Sequence, residues 1–246
     1  MNNFILGFKF ALSYFTILPV KFKEEDDLSK KEILAFMLFS LPLVGLIIGI
    51  ISLTLYSFLD QLSWFGAIIC AVSYMIFYGF IHTEAIIDVV DAIYAKHSGK
   101  DAYEVIKEPT IGAMGVLYAL AFFTLKIAGI VYLFLNDYLL EFLSIIIISR
   151  LMVLFVIKNF DFKSSFVTQL KESLSTNIFL VAILIFTFLN IFLIGFEAII
   201  LTIVAFIISY LLALFIRKNV GFLNGDALGS ILELSEVILI IFLLIL

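Results

Sequence analysis

The sequence predicts an all-α fold: a polytopic integral membrane helical bundle of about seven spans. Of its 246 residues, 64% are hydrophobic and only 14% are charged, whereas a soluble domain is roughly half apolar and a quarter charged. Mean hydropathy is +1.22. Several apolar runs reach the roughly 20 residues that a helix needs to cross a bilayer. Because lipid offers the backbone no hydrogen-bond partner and the runs are too long for barrel strands, we expect helices.

The spans follow one another along the chain with short connections and no low-complexity linker. We therefore expect residues 1–246 to form a single membrane domain. Ahead of the first span, the apolar segment 4–20 carries Lys9 and ends beside Pro19, so it would span, re-enter or lie in the interface. The seven predicted spans are 33–59, 64–81, 112–135, 140–157, 177–194, 198–216 and 229–246.

The distribution of lysine and arginine predicts the orientation of the chain. The connections at 60–63, 136–141 and 195–197 contain neither residue, whereas the connections between them are basic. Such alternation is typical of the positive-inside rule. It predicts a multi-pass protein of the cytoplasmic (inner) membrane, with its polar site facing the cytoplasm. The segments predicted on that side are 21–32, the acidic loop 82–111, 158–176 and the loop 217–228.

The acidic loop 82–111 holds six of the twenty acidic residues of the chain. Glu84, Asp88 and Asp91 are spaced i, i+4, i+7, which places them on one face of a helix. After a turn at 96–100, a second acidic set follows with nearly the same spacing: Asp101, Glu104 and Glu108. Hard oxygen ligands of this kind suit Mg²⁺, which bridges carboxylates to substrate phosphates. The alternative is a solvated face whose acids pair with neighbouring lysines.

Other polar residues near these acids have two readings each. His82 is either an interfacial residue or a ligand or proton-transfer group. Gly112 and Gly115 open a helix, where backbone N–H groups can approach an anion, but small residues also serve helix packing. In the loop 217–228, a second polar cluster resembles a phosphate-cradling turn: Asn224, Gly225 and Asp226, followed by Gly229.

Three charged residues fall inside predicted spans. Lys126 lies in 112–135, and Glu233 and Glu236 lie one turn apart in 229–246. A single charge at the centre of a bilayer costs several kcal/mol, so such residues are expected to pair or to serve a function. A Lys126–Glu233 or Lys126–Glu236 pair is one prediction, and a polar cavity that holds a substrate is the other. The net charge of −5 argues against a nucleic-acid partner.

Taken in order, these blocks resemble the adenosylcobinamide-GDP ribazoletransferases, or cobalamin synthases. Residues 82–92 are similar to the family pattern His-x-Asp-Gly-x-x-Asp-x-x-Asp-Gly, and 104–115 occupy the place of Glu-Ile-Met-Lys-Asp-Ser-Arg-x-Gly-x-x-Gly. Residues 224–229 are similar to Thr-Gly-Asp-x-Leu-Gly, with Glu233 and Glu236 trailing. Lys126 and the pair Ser149–Arg150 also match, as do 15–20 and 41–45. The resemblance spans nearly the whole chain.

The chain departs from the family pattern at several positions. Glu84 replaces the first aspartate, Ala85 and Ala92 replace glycines, and 108–110 read Glu-Pro-Thr in place of Asp-Ser-Arg. The last change removes an arginine that would clamp a phosphate bidentately. Because the family's central aspartates are present at Asp88, Asp91 and Asp226, we expect an active enzyme.

The resemblance implies a reaction and roles for these residues. Ribazole, or its 5′-phosphate, would replace GMP on adenosylcobinamide-GDP to give adenosylcobalamin, or its phosphate, with Mg²⁺ as cofactor. The expected catalytic residues are His82, Glu84, Asp88, Asp91, Lys107 and Lys126. The expected metal ligands are Glu84, Asp88, Asp91 and Asp226. The expected substrate-binding residues are Glu104, Glu108, Gly112, Gly115, Asn224, Gly225, Asp226 and Gly229.

Two other functions are compatible with parts of the sequence. A phosphotransferase of the CDP-alcohol phosphatidyltransferase type also uses clustered aspartates, but its Asp-Gly-x-x-Ala-Arg run is absent. A transporter would use the charges within the spans, but the inverted repeats typical of such proteins are not visible. We expect the two substrates and the lipid bilayer as partners, and the sequence leaves a homo-oligomer open.

Overall fold

The computed structural model describes residues 2–107 and 110–245, and within these ranges the chain forms twelve α-helices and no strand. The all-α prediction is therefore confirmed. In chain order the helices are α1 (Asn3–Phe15), α2 (Lys31–Phe39), α3 (Leu41–Leu59), α4 (Trp64–Phe77), α5 (Ile81–His97), α6 (Ala102–Lys107), α7 (Ala113–Leu135), α8 (Leu139–Asn159), α9 (Ser165–Ser173), α10 (Thr176–Ile194), α11 (Glu197–Val220) and α12 (Gly225–Leu243).

Five helices of the described chain are long and apolar enough to cross a membrane by themselves, and a sixth span results if α4 and α5 count as one bent pair. The single helices are α3 (with the short turn that follows it), α7, α8, α10 and α11. Their exposed apolar side chains, such as Phe188 and Phe192, give the kind of surface that faces lipid. The protein is therefore a multi-pass membrane protein with five or six candidate spans, fewer than the seven expected.

The predicted span 33–59 is not continuous. Helix α2 ends at Phe39, and α3 begins at Leu41, with Pro42 in its first turn. Proline has no N–H to donate to the carbonyl one turn before it, so a helix cannot run through this position without losing a bond. The segment 4–20 is also shorter as a helix than the apolar run suggests. Its 13 helical residues measure about 20 Å, less than the hydrocarbon core.

The predicted span 64–81 ends early, at a sharp bend. Gly79 and Phe80 both have positive φ (65° and 54°), a conformation that favours glycine and is uncommon for a bulky residue. Helix α5 leaves α4 at 77°. The first part of the acidic segment is the 17-residue helix α5, as its spacing predicts, and this helix packs against α7 and α12.

Helices α8 and α12 form the centre of the molecule. In α8, 15 of 21 residues are buried, and in α12, 13 of 19 are buried. They pack on each other, with α3 and α10 against α8 and with α5 against α12. The predicted span 229–246 corresponds to α12, which begins four residues earlier. It carries Asp226, Glu233 and Glu236 and is not one of the five candidate spans.

Candidate active site

The acidic helix α5 and the first turns of α12 lie directly against each other. The Ser230 hydroxyl donates a hydrogen bond to the Ala85 carbonyl at 2.7 Å. A Cβ at Gly229 would lie 2.8 Å from that of Ala85, so only small residues permit this approach. At the other end of α5, Lys96 Nζ donates to the Lys218 carbonyl at 3.4 Å. The structure therefore brings together the two polar segments that the sequence predicts on one side of the membrane.

Three carboxylates lie within electrostatic range of one another where α5 packs against the start of α12. Asp88 interacts electrostatically with Asp226 across the interface and with Glu84 and Asp91 on its own helix, and Glu84 also acts on Asp226. Asp88 and Asp226 are half-buried, and Glu84 is exposed. Among the described residues, none of Glu84, Asp88 and Asp226 forms an ion pair. Like charges that act on one another without a counter-charge favour a bound cation.

Asn224 holds Asp226 in place at the start of α12. Its side-chain carbonyl accepts from the Ala227 N–H at 3.0 Å, which caps the helix. Its amide donates to Asp226 Oδ2 at 2.6 Å. Burial raises the pKa of the Asp226 carboxyl, and the hydrogen bond from Asn224 opposes that rise. One carboxylate oxygen is thus fixed by the protein, and the acid lies in the first turn, where the helix dipole favours negative charge.

The carboxylates suit a metal shared with a substrate better than a metal held by protein alone. In the described part of the chain, no group of three or more His, Cys, Asp or Glu side chains is arranged to hold a metal ion. Mg²⁺ usually takes one or two carboxylates and completes its octahedron with waters and phosphate oxygens. Asp88 and Asp226, which lack a counter-cation, fit that smaller protein contribution.

Asp91 makes a different contact from the other acids of α5. Its carboxylate accepts hydrogen bonds from the N–H groups of Gly112 (2.6 Å) and Gly115 (2.9 Å). A Cβ at Gly115 would lie 2.7 Å from the Ile87 carbonyl, so this glycine also permits close packing of α5 and α7. The anion that these two N–H groups bind in the structure is the side chain of Asp91. Its predicted role as metal ligand, and theirs as substrate-binding residues, stay predictions.

The second acidic set lies on and around the short helix α6. Asp101 accepts a hydrogen bond from the Tyr103 N–H at 2.8 Å, as a capping residue does. Glu104 lies in the first turn of α6 and is exposed. Glu108 lies outside the described residues, as does the side chain of Lys107, so their predicted roles stay predictions.

Lys126 belongs to a buried ion network rather than to the acidic site. Its ammonium lies 2.6 Å from carboxylate oxygens of both Glu233 and Glu236, which realises the predicted pairing. Arg150 forms an ion pair with Glu236 as well, and its Nη1 donates to Ser149 Oγ at 2.8 Å. Two cations and two anions thus balance within the protein. This balance stabilises charges that would otherwise be costly in a membrane.

A cavity of about 240 Å³ opens beside Asp226 and extends inward between α1, α2, α3, α5, α8, α9 and α12. Gly225 and Asp226 line it at the start of α12, and Leu232 lines it two turns further on, so it reaches about 10 Å along that helix. Its walls are mostly apolar. His82 and Arg150 are the buried polar side chains among them.

The sequence reasoning missed most of this cavity. The walls that α1 and α9 contribute include Tyr14, Phe15 and Phe166. The spacing of Phe166, Val167 and Leu170 on α9 indicates an amphipathic helix that packs against the core, because apolar residues at i, i+1 and i+4 lie on one face of a helix. Ser164, whose hydroxyl accepts from the Val167 N–H, marks the start of that helix. Arg150 lies in the middle of α8 and lines the cavity from there.

Comparison with known proteins agrees with this architecture. The family model described as cobalamin-5-phosphate synthase matches residues 7–244. A protein of Clostridium perfringens (strain SM101) named adenosylcobinamide-GDP ribazoletransferase is 30% identical, over 96% of both chains. A protein of the same name from Thermodesulfovibrio yellowstonii is 25% identical, over 98% of this chain and 95% of its own. Another, from Clostridium botulinum (strain Eklund 17B), is 30% identical, over 59% of both chains. No solved structure matches the chain at a significant level. By the match over nearly its whole length, the chain belongs to the cobalamin-5-phosphate synthase family.

Proposed function

We propose that the protein is an adenosylcobinamide-GDP ribazoletransferase that joins ribazole, or its 5′-phosphate, to adenosylcobinamide-GDP late in cobalamin biosynthesis. Membership of the family supports this assignment. The observation that carries it in the structure is the electrostatic interaction of Asp88, Glu84 and Asp226, acids without an ion pair in the described chain, at the crossing of α5 and α12. A cation bound to the diphosphate substrate would supply the positive charge that these acids lack within the protein.

The reaction is a transfer at phosphorus. A ribose hydroxyl oxygen of the ribazole attacks the phosphorus that carries the cobinamide group. The bond from that phosphorus to the oxygen of GMP breaks, and GMP leaves with the bonding electron pair. The hydroxyl proton passes to a base, for which a carboxylate of α5 is positioned in the same region. Such transfers depend mainly on positioning and charge neutralisation, because little covalent chemistry is left for the protein.

The acids of the site would have different roles. Asp88 and Asp226 would hold Mg²⁺ on the diphosphate, with Glu84 beside them, and the bound ion supplies charge neutralisation at the phosphorus. Asn224 positions Asp226 by its 2.6 Å hydrogen bond. Lys126, which is already paired twice, would act through the buried network and not on the phosphate. We place the site at the cytoplasmic side of the inner membrane, on the distribution of lysine and arginine.

The test combines turnover with one matched pair of variants. Purified protein in nanodiscs is incubated with adenosylcobinamide-GDP, α-ribazole 5′-phosphate and Mg²⁺, and GMP and cobamide are quantified by chromatography. Asp88→Asn should lower turnover by about 10²-fold, the loss typical of one electrostatic stabiliser. Asp137→Asn is the control: Asp137 is exposed in the α7–α8 connection, at positive φ, where asparagine is well tolerated.

Chelation provides a second measurement. EDTA should abolish product formation in the wild-type protein, and added Mg²⁺ should restore it. Undiminished turnover in EDTA, or in Asp88→Asn, would exclude the metal-bridging role. Absence of product from the wild-type protein, while a related enzyme is active under the same conditions, would refute the proposed reaction itself.

A further inference from the structure

The cavity beside Asp226 contains a polar group that the fold does not use. His82 is only 9% exposed, and within the described part of the chain neither of its ring nitrogens has a hydrogen-bond partner. Its ring instead contacts aromatic rings, stacking on Phe15 with centroids 6.0 Å apart and lying 5.6 Å from Tyr78. Buried polar groups are almost always hydrogen-bonded, so an unused one that lines a cavity points to a ligand.

The size and walls of the cavity restrict what that ligand is. The cavity has a volume of about 240 Å³. That is the bulk of a two-ring aromatic group and far too little for a corrin macrocycle. Apolar side chains form most of the walls, among them Val44 of α3, Val153 of α8 and Leu232 of α12. A guanine base would bring several hydrogen-bonding groups that these walls cannot satisfy.

The position of the cavity relative to the acids gives the orientation of the ligand. Asp226 lines the end of the cavity nearest the carboxylates. Arg150 lines its inner part, seven residues before Ile157, which also lines the cavity from α8. A nucleoside whose base enters the cavity would therefore leave its ribose beside Asp226. The ribose hydroxyl is the group that must reach the phosphorus in the proposed reaction.

We propose that this cavity binds the flat, weakly polar base of the ribazole, and that an N–H of His82 donates a hydrogen bond to the free ring nitrogen of that base. A neutral imidazole carries one N–H donor, and a benzimidazole that is already attached to ribose offers one ring nitrogen as acceptor. His82 is then a specificity residue that binds the acceptor substrate and does not transfer a proton. The inference rests on the proposed function, because it names the subsite of that same site.

Two variants test separately the hydrogen bond from His82 and the volume of the cavity. His82→Phe keeps an aromatic ring against Phe15 and removes the donor. Val153→Phe fills the cavity from α8, while Val204→Phe makes the same change at a half-buried valine of α11 that does not line the cavity. Thermal unfolding of each variant in nanodiscs shows that it is folded. If one of the two cavity variants does not fold, the other carries the test.

Binding is measured first without turnover, by equilibrium dialysis of radiolabelled α-ribazole against the protein alone. Loss of one hydrogen bond should raise the Kd of His82→Phe about tenfold. Val153→Phe should bind at least as weakly, and Val204→Phe should match the wild type. In steady-state assays, KM for ribazole should rise in both cavity variants, whereas KM for adenosylcobinamide-GDP should not change.

Several results would overturn the inference. A fall in kcat of His82→Phe with KM for ribazole unchanged would make His82 a proton-transfer residue. Unchanged ribazole binding in Val153→Phe, with release of co-purified phospholipid measured by mass spectrometry, would make the cavity a lipid site. Failure of the wild type to bind ribazole would also refute it. If the wild type binds ribazole in the cavity but forms no cobamide, the proposed reaction fails and this subsite stands.

Discussion

The buried network around Glu236 allows a sharp test of how the membrane core is held together. Glu236 accepts hydrogen bonds from Tyr74 (3.1 Å) and Ser149 (2.8 Å) and pairs with both Lys126 and Arg150. In Glu236→Gln the shape of the side chain is nearly kept, but one of the two anions is lost. Lys126 retains Glu233 as its partner, and Arg150 is left with its charge uncompensated in the core.

Removing one partner of a buried pair costs about 3–5 kcal/mol, because the remaining charge is buried without compensation. For a chain of this size each kcal/mol lowers Tm by about 2–4 °C, so a fall of roughly 6–20 °C is expected. Thermal unfolding in nanodiscs, followed by circular dichroism and intrinsic fluorescence, measures it. The control is Glu172→Gln, which disrupts the exposed Lys31–Glu172 contact at 3.5 Å and should cost less than about 1 kcal/mol.

A double variant tests whether the uncompensated charge of Arg150 causes the loss of stability. Arg150→Met combined with Glu236→Gln removes one cation and one anion, and leaves the Lys126–Glu233 pair intact. If uncompensated charge is the cause, the double variant should be more stable than the sum of the single losses predicts, by about 0.5–3 kcal/mol. Strict additivity, or a Tm of Glu236→Gln equal to that of Glu172→Gln, would refute the reasoning.

Two further predictions concern the contact between α5 and α7. Asp91→Asn should destabilise the protein by about 1.5–3 kcal/mol even without Mg²⁺, because a charged acceptor of two backbone N–H groups is replaced by an amide; an unchanged Tm in EDTA would show that the contact contributes nothing. Gly115→Ala should cost about 1–3 kcal/mol, since its Cβ would overlap the Ile87 carbonyl. Gly225→Ala is its control, with no atom within 4 Å of the added Cβ, and equal Tm values for the two alanine variants would contradict the packing argument.

Much of the site was predictable because charge and periodicity are properties of the chain itself. The spacing of Glu84, Asp88 and Asp91 predicted a helix with one acidic face, and α5 has that face. The distribution of lysine and arginine placed 82–111 and 217–228 on the same side, and the structure brings α5 and the start of α12 into contact. The pairing of Lys126 with Glu233 and Glu236 also followed from the cost of isolated charges in a membrane.

The sequence by itself determined that this is an all-α membrane protein with an acidic site, because hydropathy and charge act on each segment separately. Only the tertiary structure decided how those segments are used. In the structure the expected span 64–81 is part of a bent pair, Asp91 binds the N–H groups of Gly112 and Gly115, and His82 is enclosed beside a cavity lined by seven helices. These features depend on contacts between residues far apart in the chain. Hydropathy can be calculated for one segment alone, whereas backbone bends and packing distances cannot.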